Sequence, residues 1–143
     1  MIVEEIMSDE VHTISPEMTV KQAAEAMSNK KIGSLIVIDD TKLRGIITER
    51  DIMIKVVSAG KDAGKMKIKD VMTKDVIYIE PNSDVDEAAQ KMVDNKIKKL
   101  PVVSDNRLIG IITAMDIVTA EPKITEQVSS LVTFVKKKKF VAG

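Results

Sequence analysis

The stretch GIITERDI at residues 45–52 returns as GIITAMDI at residues 110–117. Both copies belong to a longer internal repeat. With a shift of 65 residues, segment 7–52 aligns with segment 72–117 without a gap, and 20 of the 46 aligned positions are identical. A repeat of this kind indicates one supersecondary unit used twice. We therefore predict two similar halves, related by a pseudo-twofold axis and sharing one core.

Each half carries the pattern of an amphipathic helix that follows a short strand. In the first half, a strand at 11–14 ends before Pro16, which has no N–H to give to a ladder. Thr19 is the predicted N-cap of the next helix, with Gln22 as its capping-box partner. Apolar residues then recur at helical spacing, and they repeat in the second half. These residues are Val20, Ala23, Ala24 and Met27, and Val85, Ala88, Ala89 and Met92.

Two strands and a closing helix complete each half. Residues 35–38 form a continuous apolar run of strand length, which is typical of a strand buried on both faces. A polar turn leads to a second strand at 43–47, and a helix begins at Thr48. The order strand, helix, strand, strand, helix therefore occurs twice. We predict an α/β fold, more closely an α+β sandwich of small sheets and helices.

Composition excludes several classes of function. The 143 residues contain no cysteine, one histidine (His12) and a formal net charge of zero. The lack of cysteine excludes disulfides, thiolate metal sites and cysteine nucleophiles, and a single histidine argues against imidazole metal sites and Ser-His-Asp catalysis. We predict no catalytic residues and no metal site, and therefore no enzyme. No apolar run reaches the length of a membrane span, and the start of the chain is acidic, so we expect a cytoplasmic protein.

The repeat also predicts the domain boundaries. The first repeat covers 1–60, a polar linker 61–67, the second repeat 68–121, and a basic tail 122–143. The tail contains the run Lys136–Lys139. Such a run is most often a solvated tail, and less often a contact for a partner or for nucleic acid.

The chemistry of the chain is concentrated in Thr48-x-x-Asp51 and Thr113-x-x-Asp116, each after a strand and at the start of a helix. A helix N-terminus offers free N–H groups and partial positive charge, which favour a phosphate. A threonine there can donate to phosphate, and an Asp one turn later can accept from two sugar hydroxyls. The same spacing is also close to an ordinary capping box, and the sequence leaves both interpretations open.

Each Thr-x-x-Asp motif follows a strand, Leu-Ile-Val-Ile or Leu-Pro-Val-Val, and each half starts with Met7-Ser8 or Met72-Thr73. This order of motifs, present twice, resembles a tandem cystathionine-β-synthase (CBS) domain pair, or Bateman module. The resemblance covers about residues 1–120. It implies a sheet–helix sandwich with two clefts between the repeats, which commonly bind AMP, ADP, ATP or S-adenosylmethionine. It also implies modules that pair into disc-like dimers.

The resemblance also implies roles for individual residues. Thr48 and Thr113 match the phosphate-contacting hydroxyl, and Asp51 and Asp116 the ribose-binding carboxylate. The backbones of Thr13 and Tyr78 match the position facing the base, beside an apolar wall formed by Ile36 and Pro101. These assignments make an adenine nucleotide the expected ligand, with no cofactor required.

The two clefts are not equivalent. Lys98 and Lys99 stand where relatives place basic residues toward phosphate, whereas the first half has Gly33-Ser34 there and offers Arg50 instead. Because Arg grips phosphate oxygens bidentately, we expect the cleft with Arg50 to matter more for a phosphate ligand. Each cleft can draw residues from both halves, so the sequence does not decide which one is occupied.

The first closing helix, residues 51–57, is apolar almost all round, more than one sheet face can cover. We predict a homodimer with the opening and closing helices of both repeats at its interface. The leading hypothesis is a regulatory module that reports nucleotide level to an unidentified effector by population shift. The alternative is a nucleic-acid-associated protein that uses Lys136–Lys139 for binding and the repeats as a dimerisation scaffold.

Overall fold

The computed structural model describes residues 1–120, and these residues form two compact units. The first unit consists of Val11–Val76 together with Asp105–Leu108. The second unit consists of Met1–Glu10, Ile77–Ser104 and the chain from Ile109. The units are thus composed differently from the contiguous repeats, because the first ten residues belong to the unit that carries the second repeat. The repeat boundaries themselves stay a prediction about the sequence.

The first unit is a small mixed sheet covered by helices. Its strands are β1 (Thr13–Ile14), β2 (Ser34–Asp39) and β3 (Lys42–Thr48), with β1 parallel and β3 antiparallel to β2. Helix α1 (Val20–Lys30) packs against β2. The closing helix starts as α2 (Glu49–Ile52) and continues as a π-helix over Met53–Val57.

The second unit repeats this plan. It contains α3 (Val85–Asn95), β4 (Lys99–Ser104), the greater part of β5 (Arg107–Thr113) and α4 (Ala114–Ala120). Arg107 and Leu108, the first residues of β5, are counted with the first unit, where Arg107 pairs with Lys42. The predicted mixed α+β fold is therefore confirmed, with β4 and β5 as neighbouring strands.

The predicted helix patterns are confirmed in both units. Thr19 forms the predicted capping box with Gln22. Of the eight apolar positions in the two stripes, seven are buried and Ala24 is half-buried. Ile38, expected to be buried, is half-exposed at the end of β2.

The first strand of the second half was predicted wrongly. It consists of a single bridge between Ile79 and Val102. In the first unit, the Ile36 N–H donates to the carbonyl of His12. Pro101 stands at the position equivalent to Ile36 and has no N–H, so the second unit lacks this ladder bond.

A lead segment at the start of each repeat, residues 7–8 and 72–73, packs against a glycine in the last strand. Thr73 exchanges two backbone hydrogen bonds with Ile46, and Ser8 does the same with Ile111. A Cβ atom on Gly45 would lie 2.7 Å from the carbonyl oxygen of Thr73, and one on Gly110 2.7 Å from that of Ser8. Both positions therefore need glycine for close backbone approach.

Candidate ligand-binding site

The site residues predicted in the first half are Thr13, Ile36, Thr48, Arg50 and Asp51. In the first unit, the sheet places all of them except Arg50 close together. Thr13 is the register partner of Ile36, and Thr48 ends the neighbouring strand opposite Ser34. Ile36 is buried, whereas Thr13 is exposed. Asp51 follows one turn into the closing helix.

Thr48 and Asp51 form a complete capping box. The Asp51 N–H donates to the Thr48 hydroxyl oxygen at 3.1 Å. In return, the Thr48 N–H and the Thr48 hydroxyl each donate to Oδ2 of Asp51, both at 3.0 Å. The hydroxyl proton of Thr48 is therefore used within the motif.

The Asp51 carboxylate has two further partners. The Thr73 hydroxyl donates to Oδ1 at 3.1 Å, and the Lys55 ammonium lies 3.1 Å from the same oxygen. Lys55 also donates to the carbonyl of Val71 at 2.8 Å. Asp51 is 8% exposed and is the only buried charged residue in the part of the chain that the structure describes. The first-repeat carboxylate is thus enclosed by its own protein.

Arg50, the predicted phosphate contact of the first repeat, is exposed and has no side-chain partner within residues 1–120. The nearest group to the position that a Cβ on Gly33 would take is the Glu49 carboxylate, at 3.4 Å. The Glu49 N–H donates to the Gly33 carbonyl at 3.0 Å. An acidic side chain therefore stands where the strand and the closing helix meet.

In the second unit, Tyr78 and Pro101 lie on neighbouring segments of the chain. The Ile79 N–H donates to the Pro101 carbonyl at 3.0 Å, and Pro101 is buried. Tyr78 is 45% exposed. The Lys91 ammonium donates to the Tyr78 carbonyl at 2.8 Å and lies 5.8 Å from the centre of its ring.

Thr113 and Asp116 form the equivalent capping box with fewer bonds. The Thr113 N–H donates to Oδ2 of Asp116 at 2.9 Å, and the Asp116 N–H donates to the Thr113 hydroxyl oxygen at 3.1 Å. Asp116 is half-exposed. Its carboxylate has no other donor, and the Thr113 hydroxyl has no acceptor, among the described residues.

Lys98 and Lys99 lie beside this motif. The carbonyl of Lys98 accepts the Ala114 N–H at 2.7 Å, which fixes Lys98 at the start of α4. Both side chains are exposed, and neither ammonium has a partner within residues 1–120. Two free positive charges thus stand at the positions of Gly33 and Ser34, and the position of Glu49 is occupied by the uncharged Ala114.

The sequence reasoning missed Thr73 and Lys55. Thr73 belongs to the Met72-Thr73 start that the repeat singled out, and Lys55 lies one turn after Asp51, so both carried a signal. In the second unit, Ser8 stands at the position of Thr73 and Ala120 at that of Lys55. The Ser8 hydroxyl accepts the Glu10 N–H at 3.2 Å, and Ala120 has no donor to offer.

Within residues 1–120, no group of three or more His, Cys, Asp and Glu side chains is arranged to hold a metal ion. No helix there has the length and apolar character needed to cross a bilayer. The predicted basic tail with Lys136–Lys139 lies outside the described residues.

Comparison with known families identifies both repeats. The CBS domain matches twice, over residues 3–58 and 68–123. The chain belongs to the CBS domain family. Its two CBS domains form a tandem pair, which confirms the resemblance seen in the sequence.

Two relatives support this assignment. The chain is 42% identical over 120 residues to the protein MK0525 of Methanopyrus kandleri, covering 82% of this chain and 61% of that protein. It is 32% identical to the CBS domain-containing protein YhcV of Bacillus subtilis, covering 80% of this chain and 81% of YhcV. The chain therefore spans less than two thirds of the first relative and most of the second.

Solved structures of CBS proteins share the fold. One is a proposed signal-transduction protein with CBS domains from Burkholderia ambifaria, with 31% identity, a TM-score of 0.72, and coverage of 84% of this chain and 93% of that one. Another is a hexameric CBS-CP12 protein from bloom-forming cyanobacteria, with 31% identity, a TM-score of 0.70, and coverage of 87% and 70%.

Proposed function

We propose that this CBS pair is a non-catalytic regulatory module that binds an adenine nucleotide, AMP, ADP or ATP, at the second-repeat motif. The observation that carries the proposal is the incomplete bonding of Asp116. A carboxylate offers about four acceptor positions, and among the described residues only the Thr113 N–H uses one of them. The remaining positions suit the two hydroxyls of a ribose.

The surroundings of Asp116 suit the rest of a nucleotide. The Thr113 hydroxyl and the free Lys98 and Lys99 ammonium groups supply donors and positive charge for phosphate. This charge arrangement favours the second repeat, the reverse of the ranking expected from Arg50, because Glu49 repels an anion in the first. The exposed Tyr78 ring offers apolar surface for a base.

Regulation would work through a shift of population. A nucleotide that binds one arrangement of the protein more tightly than another stabilises that arrangement by the difference in affinity. An effector that recognises the stabilised arrangement then reads the nucleotide level. We place this activity in the cytoplasm, as expected from the sequence.

Calorimetric titration of AMP, ADP and ATP tests the site. Asp116→Asn is expected to weaken binding about 10- to 150-fold, because a charged acceptor for hydroxyls contributes roughly 1.5–3 kcal/mol. Asp51→Asn is the matched control and should bind as wild type does. Absence of binding to wild type, or wild-type affinity in Asp116→Asn, would contradict the proposal.

We also propose that the first closing helix mediates a homodimer. Met53, Ile54 and Val57 are 55%, 46% and 70% exposed. Met53 and Val57 also line an open groove of about 470 Å³ between α1 and the closing helix, together with Met27, Ile32 and Ile52 among others. An exposed apolar face of this kind can pack against the same face of a second copy across a twofold axis. The solved CBS-CP12 protein, which is similar to this chain, is hexameric, and this supports the proposal of an oligomer.

Light scattering at low micromolar concentration tests the dimer. Wild type should have twice the chain mass of 15.7 kDa, and Ile54→Glu should shift the population to monomer because burying an unpaired carboxylate is costly. Lys65→Glu, at an exposed site in the polar linker, is the control and should remain dimeric. A wild-type mass of one chain throughout would contradict the proposal.

A further inference from the structure

Lys55 is held in place from two sides. Its ammonium lies 3.1 Å from Oδ1 of Asp51 and donates to the Val71 carbonyl at 2.8 Å. The side chain is 45% exposed, whereas that of Asp51 is 10% exposed. Because a backbone carbonyl fixes one side of the ammonium, this ion pair has a defined geometry that most surface pairs lack.

The Asp51 carboxylate is saturated with donors. Four groups of the protein donate to its two oxygens: the Thr48 N–H, the Thr48 hydroxyl, the Thr73 hydroxyl and the Lys55 ammonium. A carboxylate offers about four acceptor positions. A ribose hydroxyl therefore reaches Asp51 only by displacing one of these donors.

Among the four donors, Lys55 is specific to the first repeat. The capping box occurs in both units, and the position of Thr73 is occupied in the second unit by another hydroxyl residue, Ser8. Lys55, however, corresponds to Ala120. The local backbone differs as well, because Lys55 lies in a π-helix whereas Ala120 lies in the α-helix α4. Short π-helical segments are frequent at functional positions.

We propose that Lys55 closes the first repeat to nucleotides by occupying the Asp51 carboxylate with a cation of the protein itself. Each chain then takes one nucleotide, in the second repeat. This inference rests on the proposed function for its ligand. It goes beyond that function by assigning the occupancy of the first motif to a single side chain outside the Thr-x-x-Asp pattern.

Calorimetric stoichiometry with AMP tests the proposal. Wild type should bind one AMP per chain. Lys55→Met keeps the length of the side chain but removes its charge, and should bind a second AMP. Lys55→Arg restores a cation and should bind one. Lys61→Met, which removes an exposed lysine without a side-chain partner among the described residues, is the control and should also bind one.

Each result decides the proposal. Two AMP in Lys55→Met, falling to one when Asp51→Asn is added, supports it. If wild type and Lys55→Met each bind one AMP per chain, the role of Lys55 is overturned and the proposed function stays intact. The same conclusion follows if wild type already binds two AMP per chain. A third outcome is that wild type does not bind AMP, Lys55→Met does, and the double variant Lys55→Met/Asp51→Asn does not. That result supports the closure of the first motif by Lys55 and overturns the proposed site at Asp116. No binding to either variant overturns both.

Discussion

Asp51 and Asp116 occupy the same place in two copies of one motif, yet one carboxylate is enclosed and the other is open. Asp51 is buried and accepts from four groups of the protein, whereas Asp116 is half-exposed and accepts from its own capping box alone among the described residues. The difference arises from Lys55 and Thr73, which lie outside the motif. A motif alone therefore does not determine whether a carboxylate is available to a ligand.

The largest expected difference between the two aspartates is in the stability that is lost when each is replaced. Asp51→Ala removes a cap and leaves the Thr73 hydroxyl and Lys55 ammonium without their acceptor, so we expect a loss of about 2–3 kcal/mol. Asp116→Ala removes only a cap and should cost about 1 kcal/mol. Urea denaturation without ligand measures both values. Equal losses would mean that the additional bonds of Asp51 contribute no stability.

The second comparison concerns the helices that open each half. Thr19 caps α1 with a full capping box, whereas Asp84, at the N-cap of α3, makes no side-chain cap bond. Asp84 instead lies 3.9 Å from the terminal ammonium of Met1 at the surface. Thr19→Ala should therefore cost about 1 kcal/mol and Asp84→Ala only a few tenths. Thermal melting of the two variants checks this, and a larger shift for Asp84→Ala would break the distinction.

The smallest expected effect is a pH dependence confined to the first unit, which contains Glu17, Lys67 and Lys69. Hydrogen bonds from Lys67 and Lys69 lower the pKa of the Glu17 carboxyl below its usual 4.5. The equivalent residue in the second repeat is the uncharged Asn82. A lowered pKa in the folded state means stability that is present above pH 4.5 and lost as the pH falls through the lowered value.

Melting curves of wild type and Glu17→Gln test this dependence. Wild type should melt slightly higher at neutral pH, and the two curves should converge in acid. Because the side chains are exposed, added salt should also reduce the difference. A difference that persists when Glu17 is protonated would show that the effect is not electrostatic.

The sequence predicted those features of the fold that depend on local pattern. The helical stripes, the Thr19 cap and the two Thr-x-x-Asp boxes follow from spacings within a few residues. The bond from Thr73 to Asp51 joins residues 22 positions apart, and no local pattern specifies it. The strand expected at Ile79 is missing because Pro101, on the neighbouring strand, has no N–H to donate. The sequence around Ile79 alone does not contain this information.

The placement of Met1–Glu10 in the unit of the second repeat has a consequence for any attempt to divide the chain. Val3 is fully buried in the core that includes Leu100 and Ile112. If a protease cut the linker, or the gene were split there, the N-terminal fragment would carry Met1–Glu10, which belong to the unit formed mainly by the C-terminal fragment. The fragment from residue 61 onward would lack Val3 and the partner of Gly110. Its recovery would require the N-terminal fragment, so the two halves should refold together as a complementing pair and poorly apart.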